Sequence, residues 1–202
     1  MKNNIYYMIM VFIISLSSCK AQIVNIDNDN YSRIPGVYYK DTNNQLDRYV
    51  GTWLYTNGMT SLKIIIQKKY NNFNPSKNFY EDILIGEYQY IENGVEIVNT
   101  LPRLQDSSIN SRNHFISGNY LLKHFYRPIC NDCDEIFKRV RIHFKDPERD
   151  YMMTDAYIGY QENLPNDKMI FDLQMGTSLI PNDTSPQTTR VPAGHYILVK
   201  QN

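Results

Sequence analysis

From Arg48 to the C-terminus, apolar and polar residues alternate in short runs. Val140, Ile142 and Phe144 alternate with Arg139, Arg141, His143 and Lys145, the period of two that gives a strand one buried and one wet face. "RYVGTWLYTNGMTSLKIIIQKKY" and "LIGEYQYIENGVEIVNT" each carry Asn-Gly between strand-forming halves, at Asn57-Gly58 and Asn93-Gly94. Both predict hairpins with type I′ turns, whose two central residues need positive φ. "GNYLLKHFYR" and "EIFKRVRIHFK" form a further pair joined by "PICNDCD", and "DAYIGYQ", "KMIFDLQM" and "GHYILVK" complete the set. The polar stretch Pro102 to Asn113 reads as a long surface loop. No run holds a helical period over helical length. The expectation is an all-β fold: one antiparallel domain of about eight or nine strands over residues 48–202, either a barrel or a sandwich.

The first residues follow another grammar. Lys2 precedes an apolar run from Ile5 to Leu16, and no acid occurs before Asp27. That is a secretory signal, too short for a bilayer-spanning helix of roughly 20 residues. Leu16-Ser17-Ser18-Cys19 resembles the lipobox of bacterial lipoproteins. The resemblance implies cleavage after residue 18 and acylation of Cys19 with lipid chains, palmitate among them. An acylated Cys19 is a lasting anchor, because two or more acyl chains hold where one binds marginally. Lys20 follows the cysteine in place of the Asp that marks inner-membrane retention in enteric bacteria, so the expected address is the outer membrane. Residues 19–47, rich in Asn and Asp, read as a flexible tether with a short pairing segment at "GVYYK". Asp27-Asn28-Asp29-Asn30 begins like a calcium loop but has Ser32 and Tyr38 where an EF-hand needs Gly and Glu.

Charge removes one class of partner. The chain has 21 basic and 21 acidic residues, and losing residues 1–18 takes Lys2 and no acid. A balanced chain offers no basic face for nucleic-acid phosphates. The partners that stay open are the membrane, through acyl chains, and a protein, a glycan or a small apolar ligand.

Four motifs carry candidate chemistry. Cys130-Asn131-Asp132-Cys133 is a CxxC. A zinc site needs two more ligands, and a redox pair is expected at a helix start in a βαβ unit. Between strands, in an oxidising compartment, a disulfide is the expectation. With Cys19 acylated, these two form an even set. Gly51-Thr52-Trp53 is similar to the first motif of lipocalins, whose tryptophan closes the barrel base against an arginine from the last strand. That likeness implies Gly51 and Trp53 beside a small apolar ligand, but Arg190 precedes Pro192 and the final strand. The 17 tyrosines, Tyr88, Tyr90, Tyr157 and Tyr160 among them, would suit sugar rings if stacked on a sheet face, or simply strand formation. For catalysis there is no GxSxG, no HExxH and no phosphate-binding glycine loop. His114, His124, His143 and His195 share no spacing, and Asp146 to Asp150, "DPERD", reads as a solvated turn. No cofactor, no metal and no catalytic residue is expected.

Together the lipobox with "CKAQ", then "GTWLYTNG", "EDILIGEYQYIENGVEIVNTL", "IHFKDPERDYMMTDAYI" and "VPAGHYILVK" resemble a family of short Bacteroidota lipoproteins carrying a domain of unknown function. The likeness runs from Arg48 to Lys200 and implies no activity. The expected function is a non-enzymatic, lipid-anchored binding or interaction module of the cell envelope. Its rivals are a lipocalin-like carrier of a hydrophobic ligand, which needs a hollow apolar barrel, and a hydrolase, which needs a histidine within reach of a carboxylate in a cleft.

Overall fold

The computed structural model describes residues 22–28, 33–123, 128–163, 165–178 and 184–201. Twelve strands run in chain order: β1 (Ile23–Asn25), β2 (Tyr38–Lys40), β3 (Gly51–Asn57), β4 (Thr60–Asn74), β5 (Phe79–Glu92), β6 (Val95–Asn99), β7 (Ile116–Leu122), β8 (Arg139–Phe144), β9 (Met152–Gln161), β10 (Lys168–Leu173), β11 (Thr177–Ser178) and β12 (Gly194–Gln201). Among the described residues the helical segments are three short 3-10 turns, Asp47–Tyr49, Leu101–Gln105 and Ser111–Asn113.

Eight strands close on themselves. β3, β4, β5, β7, β8, β9, β10 and β12 pair antiparallel in that order, and β12 pairs back onto β3. Barrel neighbours are chain neighbours, the up-and-down plan that removes free sheet edges. Of the two expected architectures, the barrel is the one formed.

The alternation read in the sequence decides which side chains turn inward, since each fully buried Leu, Ile or Phe contributes about 1.5–3 kcal/mol. Leu62, Ile64 and Ile66 on β4, Val140, Ile142 and Phe144 on β8, and Met169, Phe171 and Leu173 on β10 all enter one core. Rings cross its width. Tyr88 meets Phe144 at 4.5 Å between centroids, Phe144 meets Phe171 at 5.9 Å, Phe171 meets Tyr196 at 6.3 Å and Tyr196 meets Tyr55 at 5.1 Å. That chain links β5, β8, β10, β12 and β3 through the lumen.

The two hairpin turns differ. At Asn93-Gly94 both residues have positive φ, 50° and 81°, and Glu92 pairs with Val95, as a type I′ turn requires. In the other, Asn57 pairs with Thr60, so the central residues are Gly58 and Met59, and Gly58 alone has positive φ, 59°. The hairpin forms, but glycine takes the first central place, as in a type II′ turn.

The segment expected as a tether is folded over its described part. β1 pairs parallel with β2 and β2 parallel with the start of β5, while Val37, Tyr39 and Phe79 bury together. Its polar groups are satisfied by two buried carboxylates. Asp82 accepts from Tyr38 Oη (2.5 Å) and from the backbone nitrogens of Asp41 (2.9 Å) and Asn71 (3.0 Å). Asp41 accepts from the nitrogens of Gln45 and Leu46 and from Lys68 Nζ, each within 2.9 Å. Asn and Asp richness here marks capping of irregular backbone rather than a solvated linker.

Two more expectations change on contact with the fold. The polar stretch 102–113 is a surface connection, yet its Leu104 covers Ile83 and Ile85 on the outside of β5, so that strand is buried on both faces. "DPERD" is a turn, but Asp146 is buried. Its carboxylate accepts from Arg190 N (2.7 Å), Arg190 Nε (2.9 Å) and Glu148 N (3.1 Å), which ties the β8–β9 turn to the approach to β12.

Candidate functional site

β5 is longer than any one partner on its second edge. β7 takes only Leu84–Gly86, β6 takes Gln89–Glu92, and β2 takes Tyr80 and Glu81. Below Leu84 the two barrel strands β5 and β7 therefore part, and β7 carries a bulge between Ser117 and Tyr120, the kind of irregularity that ends pairing and re-aims side chains. The wedge between them is a cleft of about 510 Å3 on the outside of the barrel. It is walled by the β4–β5 turn, the bulge, the outer face of β8, Arg112, and the N-terminal residues Asp27 and Arg33.

Its floor is a buried carboxylate. Glu81 Oε1 accepts from Arg112 Nε (2.9 Å), Arg112 Nη2 (2.5 Å) and, more weakly, Asn74 Nδ2 (3.4 Å). Glu81 Oε2 accepts from Asn119 Nδ2 (2.8 Å), which also donates to Asp82 O at 2.7 Å. Asn119 thus bridges the split where ladder hydrogen bonds stop. A buried charge needs this density of donors to be tolerated.

On the far wall, Arg141 donates to Asp155 Oδ2 through Nε (2.9 Å) and Nη2 (2.6 Å), and His143 Nδ1 lies 2.9 Å from Asp155 Oδ1. Burial pushes the Asp155 carboxyl up, but the hydrogen bonds from His143 and Arg141, with their charges, outweigh it and leave it below the ordinary aspartate value. Register places Ser117 opposite His143 and His143 opposite Asp155. Ser117 is 1% exposed.

The residues singled out by sequence fall elsewhere. Cys19 and His124 lie outside the described residues. Cys130 and Cys133 form a disulfide, which packs with Ile170 on the outside of the barrel and against Gly159, where an added Cβ would stand 1.9 Å from Cys133 Sγ. Trp53 is fully buried, donates from Nε1 to Tyr49 O at 2.8 Å and meets Tyr160 edge-on at 6.5 Å. Lys200 of the last strand stands 5.3 Å above its ring, and a Cβ on Gly51 would sit 3.3 Å from Lys200 Cε. The last-strand cation over the tryptophan is therefore Lys200 and not Arg190. Trp53 is part of the main core, and the space beside Gly51 is taken up by Lys200. Arg190 instead binds Asp146 and, at 2.7 Å, Glu148.

Tyr88, Tyr90 and Tyr160 also point into the core, so they build no outer platform. Two further histidines meet carboxylates: His114 Nδ1 with buried Glu87 at 2.8 Å, and His195 with Asp172 at 2.5 Å and Asp132 at 3.2 Å. Among the described residues no cluster of three or more metal-ligating side chains is assembled, and no helix is long and apolar enough to cross a membrane.

Arg33, Glu81, Arg112 and Asn119, which make the cleft, went unnoticed in the sequence. One signal was present: in "YEDILIG" two acids head a strand that is otherwise apolar, and a carboxylate on a strand buried on both faces must recruit donors from elsewhere.

Fold and site define the class: a closed eight-stranded antiparallel β-barrel filled by its own side chains, with a polar cleft on its outer wall. Within that class, the chain belongs to a family of unknown function, DUF6705, whose model matches residues 1–201. No curated protein and no solved structure matches it.

Proposed function

We propose that this chain is a lipid-anchored protein of the cell envelope that works as a non-enzymatic binding module, with the cleft between β5 and β7 as its recognition surface. The observation that carries this is the division of labour in the barrel. Rings and aliphatic chains occupy the lumen, whereas the outer cleft is roomy and lined by polar groups held in place by buried Glu81. Small-ligand sites are concavities of about 300–1,000 Å3 with a few fixed polar groups. The anchor rests on the lipobox at Leu16 to Cys19.

Titration of the mature lipoprotein in detergent micelles with N-phenyl-1-naphthylamine separates this reading from an apolar carrier. The binding-module reading expects no saturable rise in fluorescence beyond that of the micelles alone. Saturable uptake abolished by Phe171→Arg would establish a carrier instead.

A hydrolase is favoured by one observation, the row Ser117, His143, Asp155 across three strands. Ser117 makes no hydrogen bond to His143 among the described residues, and such a pair needs that contact. Turnover of p-nitrophenyl acetate that is lost in Ser117→Ala, in a variant with unchanged melting temperature, would replace the binding reading with this one.

A further inference from the structure

We infer that the ligand of this cleft is a small hydroxylated oxyanion of the acidic-sugar class, held through its anionic group by Arg33. The inference rests on the binding-module reading and adds the chemistry of what is bound.

The charges are unequal. Four cations line the cleft, Arg33, Lys77, Arg112 and Arg141, against two acids, Asp27 and Glu81. Both acids are committed: Glu81 to Arg112 and the two asparagines, and Asp27 to Lys138. Arg141 is committed to Asp155. Arg33 is different, because its Nη1 is buried and has no hydrogen-bond partner among the described residues.

That guanidinium is also fixed in orientation. It stacks over the Tyr39 ring at 4.2 Å and lies 5.8 Å from the Phe79 ring. Burial is the main influence on it and presses its pKa below the ordinary arginine value, against the opposing pull of Glu81. An arginine stays protonated under such pressure, so an oriented guanidinium with one unsatisfied donor lines the cleft. Leaving such a donor unsatisfied is expensive, and a planar guanidinium fits a carboxylate or phosphate.

The acceptor side is as specific. Asn119 uses its amide nitrogen on Glu81 and Asp82, which leaves Oδ1 as the part of that amide available to a hydroxyl. Tyr120, 38% exposed at the bulge, lines the same cleft. An apolar ligand would strand both Arg33 and Asn119, and a cation would meet the excess positive charge. An oxyanion carrying hydroxyls satisfies both.

The test is calorimetric titration of the mature, full-length lipoprotein in detergent micelles with D-glucuronate, D-glucose 6-phosphate and neutral D-glucose. At least one anion should bind ten-fold or more tightly than glucose, a charge-assisted bond being the difference. Binding of glucuronate alone assigns a carboxylate, and of the phosphate alone a phosphate. Arg33→Met should weaken the anion ten-fold or more without lowering the melting temperature, a combination that a structural arginine would not give. Ser76→Glu, at an exposed position on the rim, should weaken it several-fold by charge. Glucose binding as well as the anions, or no binding by any of the three, overturns the ligand class. Anion binding untouched by both variants overturns the cleft as its location, and with it the binding-surface reading.

Discussion

Gly159→Ala puts a methyl carbon where the disulfide already stands. The added Cβ would lie 1.9 Å from Cys133 Sγ, 3.3 Å from Cys133 Cβ and 3.5 Å from Cys130 Sγ. Non-bonded atoms of this kind settle near 3.5–4.0 Å, so the sulfur must retreat by roughly 1.5–2 Å. It cannot do so alone, because the bridge joins residues three apart in sequence and the loop moves as a unit. Lifting it would stretch Asp134 N to Tyr160 O (3.1 Å) and Glu162 N to Asp134 Oδ2 (2.8 Å) and uncover Ile170. Overpacking of this order costs about 1–3 kcal/mol, and the smaller unfolded-state gain of Gly→Ala offsets only about 0.4–1 kcal/mol of it. The net cost of up to about 2.6 kcal/mol is, for a chain of this length, a fall in melting temperature of up to roughly 10 °C, read by circular dichroism without reductant. The cause is isolated by a double-mutant cycle. Cys130→Ala with Cys133→Ala costs about 2 kcal/mol from loop entropy, and in that background Gly159→Ala should cost under ~0.5 kcal/mol, because no sulfur remains to be displaced. An equal cost in both backgrounds would refute the steric account.

Other expected outcomes follow from the same contacts. Asp82→Ala strands three donors, Tyr38 Oη and the nitrogens of Asp41 and Asn71; it should cost roughly 2–3 kcal/mol and open residues 22–47 to limited proteolysis, whereas an unchanged digest would contradict the docked N-terminal segment. Asp155 has a folded pKa below its ordinary value, so its contribution is complete above the unfolded pKa of about 4 and is lost as pH falls through the lower folded value. Acid denaturation should therefore show the wild type losing its advantage over Asp155→Asn only below about pH 4–5. Burial raises the phenols of Tyr38 and Tyr196 to about 12, so absorbance at 295 nm and pH 11 should count fewer tyrosinates in the folded chain than in urea. Stability should fall as pH rises above about 10. Cys19→Ala should release the chain from the membrane fraction or stall its processing, and unchanged retention with normal processing would remove the lipid anchor.

The strands were legible because their alternation is enforced by burial. Val140, Ile142 and Phe144 on β8 face the core as the period of two requires, and Asn93-Gly94 turns as its residue types demand. Barrel closure was not legible. It depends on Val199, Lys200 and Gln201 pairing with β3, a contact between the ends of the domain that no local pattern records. The Cys130–Cys133 bridge followed from the compartment that the N-terminal signal implies, but its seat against Gly159 did not, since a strand glycine has several explanations. The cleft was the least legible feature. Arg33, Glu81, Arg112 and Asn119 are scattered along the chain and are united only where β5 and β7 part, and Arg33 lies in a segment whose Asn and Asp content imitates a linker.

On the binding-module reading the lumen is structural and recognition happens outside it. Backbone amide shifts of the isotopically labelled, mature lipoprotein in micelles, followed by NMR during titration with D-glucuronate or D-glucose 6-phosphate, locate the binding surface. The perturbed amides should cluster at Arg33, Ser76, Asn119, Tyr120 and Arg141, around the split between β5 and β7. Perturbations centred instead on Trp53, Tyr88 and Phe171, inside the barrel, would contradict it.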